Sequence, residues 1–176
     1  MNKNELFRHT ADWFEGEDFE NLLVDETEQK ILVPVSNEAS YWLIRVALNE
    51  APLAVLLHQS LPLCIPEERR SDAALLACEL NARMTLGSFR VDPADGEFCV
   101  QTNAPLFSEP APEMMPEVIG QIVVPSMAGF GACIQTFTHF AVGAIDRHAC
   151  LATLLGGNDA EKALTWSSRG IRPEWN

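Results

Sequence analysis

The chain has 176 residues, with 25 Asp and Glu against 12 Lys and Arg, and a net charge of -13. Such a field repels nucleic-acid phosphates and anionic lipid headgroups, and no basic run offsets it, so nucleic-acid binding is not expected. At 47% apolar and 21% charged residues, the composition is that of one globular domain with a full core, open to basic partners or exposed polypeptide.

The N-terminus, MNKNELFRHTADWFEG, has no apolar signal core and reads as a short amphipathic helix. Leu6, Phe7, Ala11, Trp13 and Phe14 fall near helical spacing, and Gly16 stops the run. Trp13 and Phe14 at its end are either core anchors or an exposed contact, and they are candidate protein-interaction residues. Four short apolar runs follow, at 19–25, 29–35, 41–48 and 53–57, separated by acidic or Pro-containing turns. They predict an antiparallel meander of three or four strands.

Pro66 then opens a helix, with Glu67 and Glu68 at the positive end of its dipole. Ala73, Leu76, Ala77, Leu80 and Met84 form its apolar stripe, Glu79 and Arg83 are an i,i+4 pair on the wet side, and Gly87 ends the helix. Strands at 88–92 and 97–102 flank the turn DPADG. As a calcium loop aligned on Gly96, that turn has Val91, Pro93 and Thr102 where oxygen ligands belong. As a hairpin turn it is well made, because Pro93 presets φ and Gly96 accepts a positive one.

From Val118 to Ile145 there is no Asp, Glu, Lys or Arg. The stretch is long enough to cross a bilayer, but Gln121, Pro125, Ser126, Gln135, Thr136, Thr138 and His139 interrupt it, so no membrane span is expected. Met115, Val118, Ile119, Ile122, Ser126, Phe130, Ile134 and Phe137 keep one face, which predicts a core helix kinked at Pro125 and closely approached near Gly129 and Gly131. The remaining apolar positions, Val123, Val124, Met127, Cys133, Phe140 and Val142, would then meet water. On that ground Val123, Met127 and Phe140 are further interaction candidates, and a homodimer is expected to cover them. The domain is placed at 1–156, with 157–176 as a C-terminal extension that includes a short helix at AEKALTW.

No local catalytic motif occurs: H-E-x-x-H, G-x-S-x-G, a P-loop and G-x-G-x-x-G are all missing. His9, His58, His139 and His148 read as ordinary core or boundary residues, with a His139–Asp146 pairing as the sharper alternative. Ser60, Ser88 and Ser126 have no local acid–base partner. Five cysteines at wide, irregular spacings lack a C-x-x-C and suit a reducing cytoplasm. Cys64 near Pro66 is either a buried thiol or an activated one at a helix start. No catalytic, cofactor or metal residue is assigned.

The order of elements is helix, three or four strands, helix, two-strand hairpin and long helix, an α+β domain with an antiparallel sheet of about five strands. With ELN at 79–81, GSFRVDPADGEFCV at 87–100, the apolar last helix and GNDAEKAL at 157–164, the chain resembles the YbjN-like family of bacterial proteins, of the type III secretion chaperone-like fold, from Asn4 to about Leu164. The resemblance implies a small acidic protein with no established catalytic residue and a role in sensory regulation. For the related secretion chaperones it implies a homodimer that holds partly unfolded polypeptide. The expected function is a non-enzymatic, chaperone-like adaptor or regulator that binds protein or peptide. The alternative is a small-molecule sensor with a pocket between the sheet and the long helix.

Overall fold

A computed structural model of the chain describes residues 1–17, 19–37, 40–84, 87–108 and 110–156. The C-terminal extension 157–176, with its expected helix and the GNDAEKAL motif, lies outside the described residues. Among the described residues the fold is α+β, with a six-stranded antiparallel sheet and four α-helices. The chain runs α1 (Lys3–Gly16), β1 (Leu23–Asp25), β2 (Lys30–Asn37), β3 (Ser40–Glu50), β4 (Leu53–Cys64), α2 (Arg70–Asn81), β5 (Ser88–Val91), β6 (Glu97–Pro105), α3 (Met115–Ala141) and α4 (Arg147–Gly156). The strand order in space is β1-β2-β3-β4-β6-β5.

Strand alternation decides which face is core. Ile31, Val33 and Val35 of β2, Trp42, Ile44, Val46 and Leu48 of β3, Val55, Leu57 and Leu61 of β4, Phe89 of β5, and Phe98 and Val100 of β6 are buried in one cluster with residues of all four helices. The register keeps them on one side: Val33 lies opposite Ile44, Val46 opposite Leu57, and Phe89 opposite Val100. Every described helix packs on that side, so among the described residues the sheet has a covered face and an open one.

α1 belongs to the core. Asn2 and Glu5 close a capping box at its start. Leu6, Phe7, Thr10, Ala11 and Phe14 are buried, and Trp13 lies on Gly120 of α3, where a Cβ would meet the indole at 3.4 Å. Phe14 is therefore not an exposed contact; its ring packs 5.0 Å from Trp13 and 5.5 Å from Phe19.

α3 overturns a second expectation. Twelve of its residues are buried, including Val123, Met127, Cys133 and Phe140. The contact candidates Val123, Met127 and Phe140 thus face their own chain and present no surface. By length and composition the helix would pass for a membrane span, yet its back is Gln121, Ala128, Ala132, Gln135 and His139, small or uncharged-polar groups that tolerate water without a partner. Of the apolar residues expected to need cover, only Val142 is exposed, and Val124 is half-buried. α3 continues through Pro125, and Gly131 lets the Trp42 ring approach to 3.1 Å of where a Cβ would stand.

A buried polar seam ties α3 to the middle of the sheet. Gln59 donates Nε2–H to the Ser126 carbonyl and hydroxyl, both at 2.9 Å, and accepts from Trp42 Nε1 at 3.3 Å. Thr102 Oγ1 lies 3.1 Å from Ser126 Oγ. Each group in the seam has a partner, so the polar burial carries no unmet desolvation cost.

The DPADG segment is a hairpin turn. Gly96 N–H donates to Asp92 O and Ala94 N–H to Asp92 Oδ1, both at 2.8 Å, with Gly96 at φ 81°. Arg70 donates to the carbonyls of Pro93 and Ala94, so a guanidinium already serves the oxygens of the loop. The ELN motif also acquires a physical role. Asn81 takes both backbone groups of Phe89 with its amide, anchoring β5, and Leu80 is buried. Glu79 pairs with Arg147 of α4 rather than with Arg83. Asp146 is the N-cap acceptor of α4, bound by Ala149 N–H at 2.8 Å, and forms no His–Asp pair with His139.

Candidate functional site

The open face of the sheet is the site that the fold leaves uncommitted. Its residues are the alternate positions: Lys30, Leu32 and Pro34 of β2, Tyr41, Leu43, Arg45 and Ala47 of β3, Leu56, His58 and Ser60 of β4, and Glu97, Cys99, Gln101 and Asn103 of β6. β1 adds Leu23 and Asp25, opposite Leu32 and Lys30, and β5 adds Ser88 and Arg90. None of the large apolar side chains on this face belongs to the core or packs against it. Leu23 is 62% exposed and Tyr41 49% exposed, and Leu32, Leu43 and Leu56 are half-buried.

The face divides in two. Toward β1 lie five of its apolar residues, Leu23, Leu32, Pro34, Tyr41 and Leu43, with Asp25 and Lys30 beside them, while Leu56 stands apart on β4, opposite Ala47 and Asn103. Toward β5 it is polar, as an antiparallel sheet facing water should be: Gln101, Asn103, Ser88 and Arg90, with Arg90 donating to Gln101 Oε1 at 2.5 Å.

A charged cluster stands at the boundary. Arg45 lies opposite His58 across β3 and β4, and its guanidinium donates to the Glu97 carboxylate. His58 Nε2 lies 2.6 Å from Arg45 Nη2 and 3.2 Å from Glu97 Oε2. Nε2 stands between a donor, Arg45, and an acceptor, the Glu97 carboxylate, and the tautomer of the ring decides which of the two it bonds. Burial, followed by the Arg45 charge, lowers the His58 pKa below 6.5, with Glu97 acting in the opposite sense. Burial first, and the Glu97 charge second, push the Cys99 thiol up to about 11.

These features decide what the cluster can do. Burial, with the Glu97 charge, favours the thiol form of Cys99 over the thiolate. Burial, followed by the Arg45 charge, favours the neutral ring of His58. The donor atoms of His58, Glu97 and Cys99 lie within 4.8 Å of one another, a spacing that would suit a metal ion. The Arg45 guanidinium already pairs with Glu97 and lies against the histidine nitrogen, however, so it would compete with an ion for this donor set. The cluster is a self-compensated ion group on the open face.

Elsewhere, the interval between sheet and α3, where a sensor would hold its ligand, is filled. Trp42 stands 6.4 Å from Phe130, and Phe98 4.9 Å from Phe137. A shallow cleft of about 390 Å³ beside α1 is lined by Glu5, Arg8, His9, Asp12, Pro110 and Pro112, with charges of alternating sign. Cys64 and Cys78 are exposed free thiols, so the buried reading of Cys64 is corrected: β4 extends to it and leaves its side chain outside. Of the five interaction candidates from sequence, Trp13 alone keeps partial exposure.

The sequence missed the residues of the open face, although their signal was present: Leu32, Leu43 and Leu56 break the polar half of the period-two alternation in their strands. Compared with known protein families and with curated proteins, the chain matches none.

Proposed function

We propose that the protein is a non-enzymatic, chaperone-like adaptor that binds other polypeptide through the open face of its sheet. The observation that carries this reading is the group Leu23, Leu32, Pro34, Tyr41 and Leu43 on that face: five large or rigid apolar side chains on adjacent strands, outside the core, on a surface where an antiparallel sheet normally turns polar. Contiguous exposed apolar surface of this kind marks protein contact sites. The chemistry of Arg45, His58, Glu97 and Cys99 fits the same reading, since each group is held in a form that binds rather than reacts. The type III secretion chaperone-like fold and the YbjN-like resemblance are compatible with it. Three buried free thiols, Cys99, Cys133 and Cys150, suit a reducing cytoplasm.

The test is a holding assay. Aggregation of insulin reduced by dithiothreitol is followed by light scattering, with the protein in stoichiometric excess. Suppression is expected, and it should be lost in Leu32→Glu and Leu43→Glu variants that keep the wild-type circular dichroism. Equal suppression by both variants, or none by the wild type, removes the reading.

A further inference from the structure

The apolar contact surface makes no use of His58, Glu97 and Cys99. These three offer an imidazole nitrogen, a carboxylate oxygen and a thiol sulfur within 4.8 Å of one another. All stand on the outer side of two paired strands, β4 and β6. The inward positions of the same strands, Leu57, Phe98 and Val100, are held in the core, so the donors ride on rigid backbone.

The register of those strands brings in a fourth donor. Ser60 lies opposite Cys99, so a regular ladder would set Pro62 opposite Glu97. β4 bulges between Ser60 and Cys64 instead, and Cys64 takes that place. Residues directly opposite across an antiparallel pair share a face, with Cβ atoms ~4.5–5.5 Å apart. Alternation agrees: Leu61 and Ile65 are core and Leu63 packs against it, which turns Cys64 outward, where it is exposed. The bulge therefore exchanges a proline, which has no ligand atom, for a thiol. Bulges re-aim side chains in this way next to functional sites.

Two sulfurs, one imidazole and one carboxylate suit a borderline-soft divalent cation of tetrahedral habit. Calcium and magnesium take six or more oxygens, and this set has a single carboxylate. Arg45 is the competitor, paired with Glu97 and set against His58, but its side chain is 43% exposed. Swinging it into water gives up an ion pair that contributes little.

We propose that His58, Glu97, Cys99 and Cys64 form a zinc site on the open face. Binding releases the two thiol protons to solvent and turns Arg45 outward. Four protein donors close the coordination shell, so the ion is structural and pins the bulged end of β4 to β6. The site stands or falls apart from the polypeptide-binding reading.

Titration of the reduced, metal-free full chain with Co2+ tests it, because thiolate ligands give cobalt a sulfur-to-metal charge-transfer band. The expected result is one ion per chain, displaced by Zn2+. Cys99→Ser and Cys64→Ser should each diminish the band and together abolish it. Cys99→Ser and, independently, His58→Gln should weaken Zn2+ binding by more than the ~10–100-fold that follows loss of an outer-shell partner. Arg45→Gln should tighten it severalfold, and Cys78→Ser, an exposed thiol on α2, should change nothing. In the wild type, Zn2+ should slow alkylation of Cys64 and leave Cys78 reactive. No band, or a band that survives both Cys99→Ser and His58→Gln in variants with wild-type circular dichroism, overturns the site. Zinc that binds and leaves Cys64 fully reactive overturns the four-donor set.

Discussion

The two faces of one sheet obey different rules. On the covered face nearly every inward position is aliphatic or aromatic, and the polar exceptions, Gln59 and Thr102, are hydrogen-bonded into α3 or joined to it through Ser126. On the open face the apolar residues have none of the described helices above them, and Arg45, His58 and Glu97 lie against one another. Burial alone does not separate the two sets, since Cys99 and Ser60 on the open face are almost as inaccessible as the core. The distinction is partnership: covered-face residues hold the fold together, whereas open-face residues are available to something outside it.

The largest expected contrast is kinetic. Under native conditions Cys64 and Cys78 should react with a thiol reagent, whereas Cys133 and Cys150 wait for unfolding and react ~10³-fold or more slowly, as protection by a stable core requires. Cys99, on the open face but 4% exposed and with its pKa near 11, should fall with the slow group. Mass spectrometry of labelled peptides would show a misplaced face if Cys99 reacted as fast as Cys64.

Urea unfolding sharpens the comparison in energy. Phe137→Ala removes a ring packed against Phe89, Phe98 and Phe130 and should cost ~3–5 kcal/mol, whereas Leu43→Ala should cost less than ~1 kcal/mol. Equal costs would mean that Leu43 is core. Gln59→Ala leaves the Trp42 N–H without its acceptor and the Ser126 carbonyl and hydroxyl without their donor, and should cost ~1–3 kcal/mol. A neutral result would show that α3 is held without the seam.

The smallest effect is pH-dependent. The folded pKa of His58 lies below its unfolded value of 6.5, so the unfolded chain binds the extra proton first. Stability is therefore full above that value and falls as the pH drops from 6.5 toward the folded pKa. His58→Gln should lose less stability than the wild type between about pH 7 and about pH 5, in parallel urea titrations. Identical losses would mean that Arg45 and burial do not act on this ring.

The comparison also shows how far the sequence could be read. Period-two alternation in β2 and β3 and the stripe Ala73–Leu80 in α2 were legible because local pattern and burial agree. β4 was cut at Leu57 because His58-Gln59-Ser60 resembles a loop, whereas Gln59 is a core residue whose partner, Ser126, is 67 positions away. The uncharged run of α3 was misjudged because lack of charge was equated with need for cover, and Ala128, Ala132 and Gln135 need none. α4 was not foreseen, although Gly143 at φ 79° and the Asp146 cap mark its start. The Arg45–His58–Glu97 cluster joins residues up to 52 positions apart, and only the strand register brings them together.

The central claim is that the open sheet face is the surface partners cover. Hydroxyl-radical footprinting of the wild type tests it most directly, with Phe107, 92% exposed on its loop, as the internal reference. As reduced insulin is added, labelling of Leu32, Tyr41 and Leu43 should fall together while Phe107 and Leu75 keep their reactivity. Sheet-face labelling that stays constant, or protection that appears at Leu75 or Phe107 instead, would contradict the account.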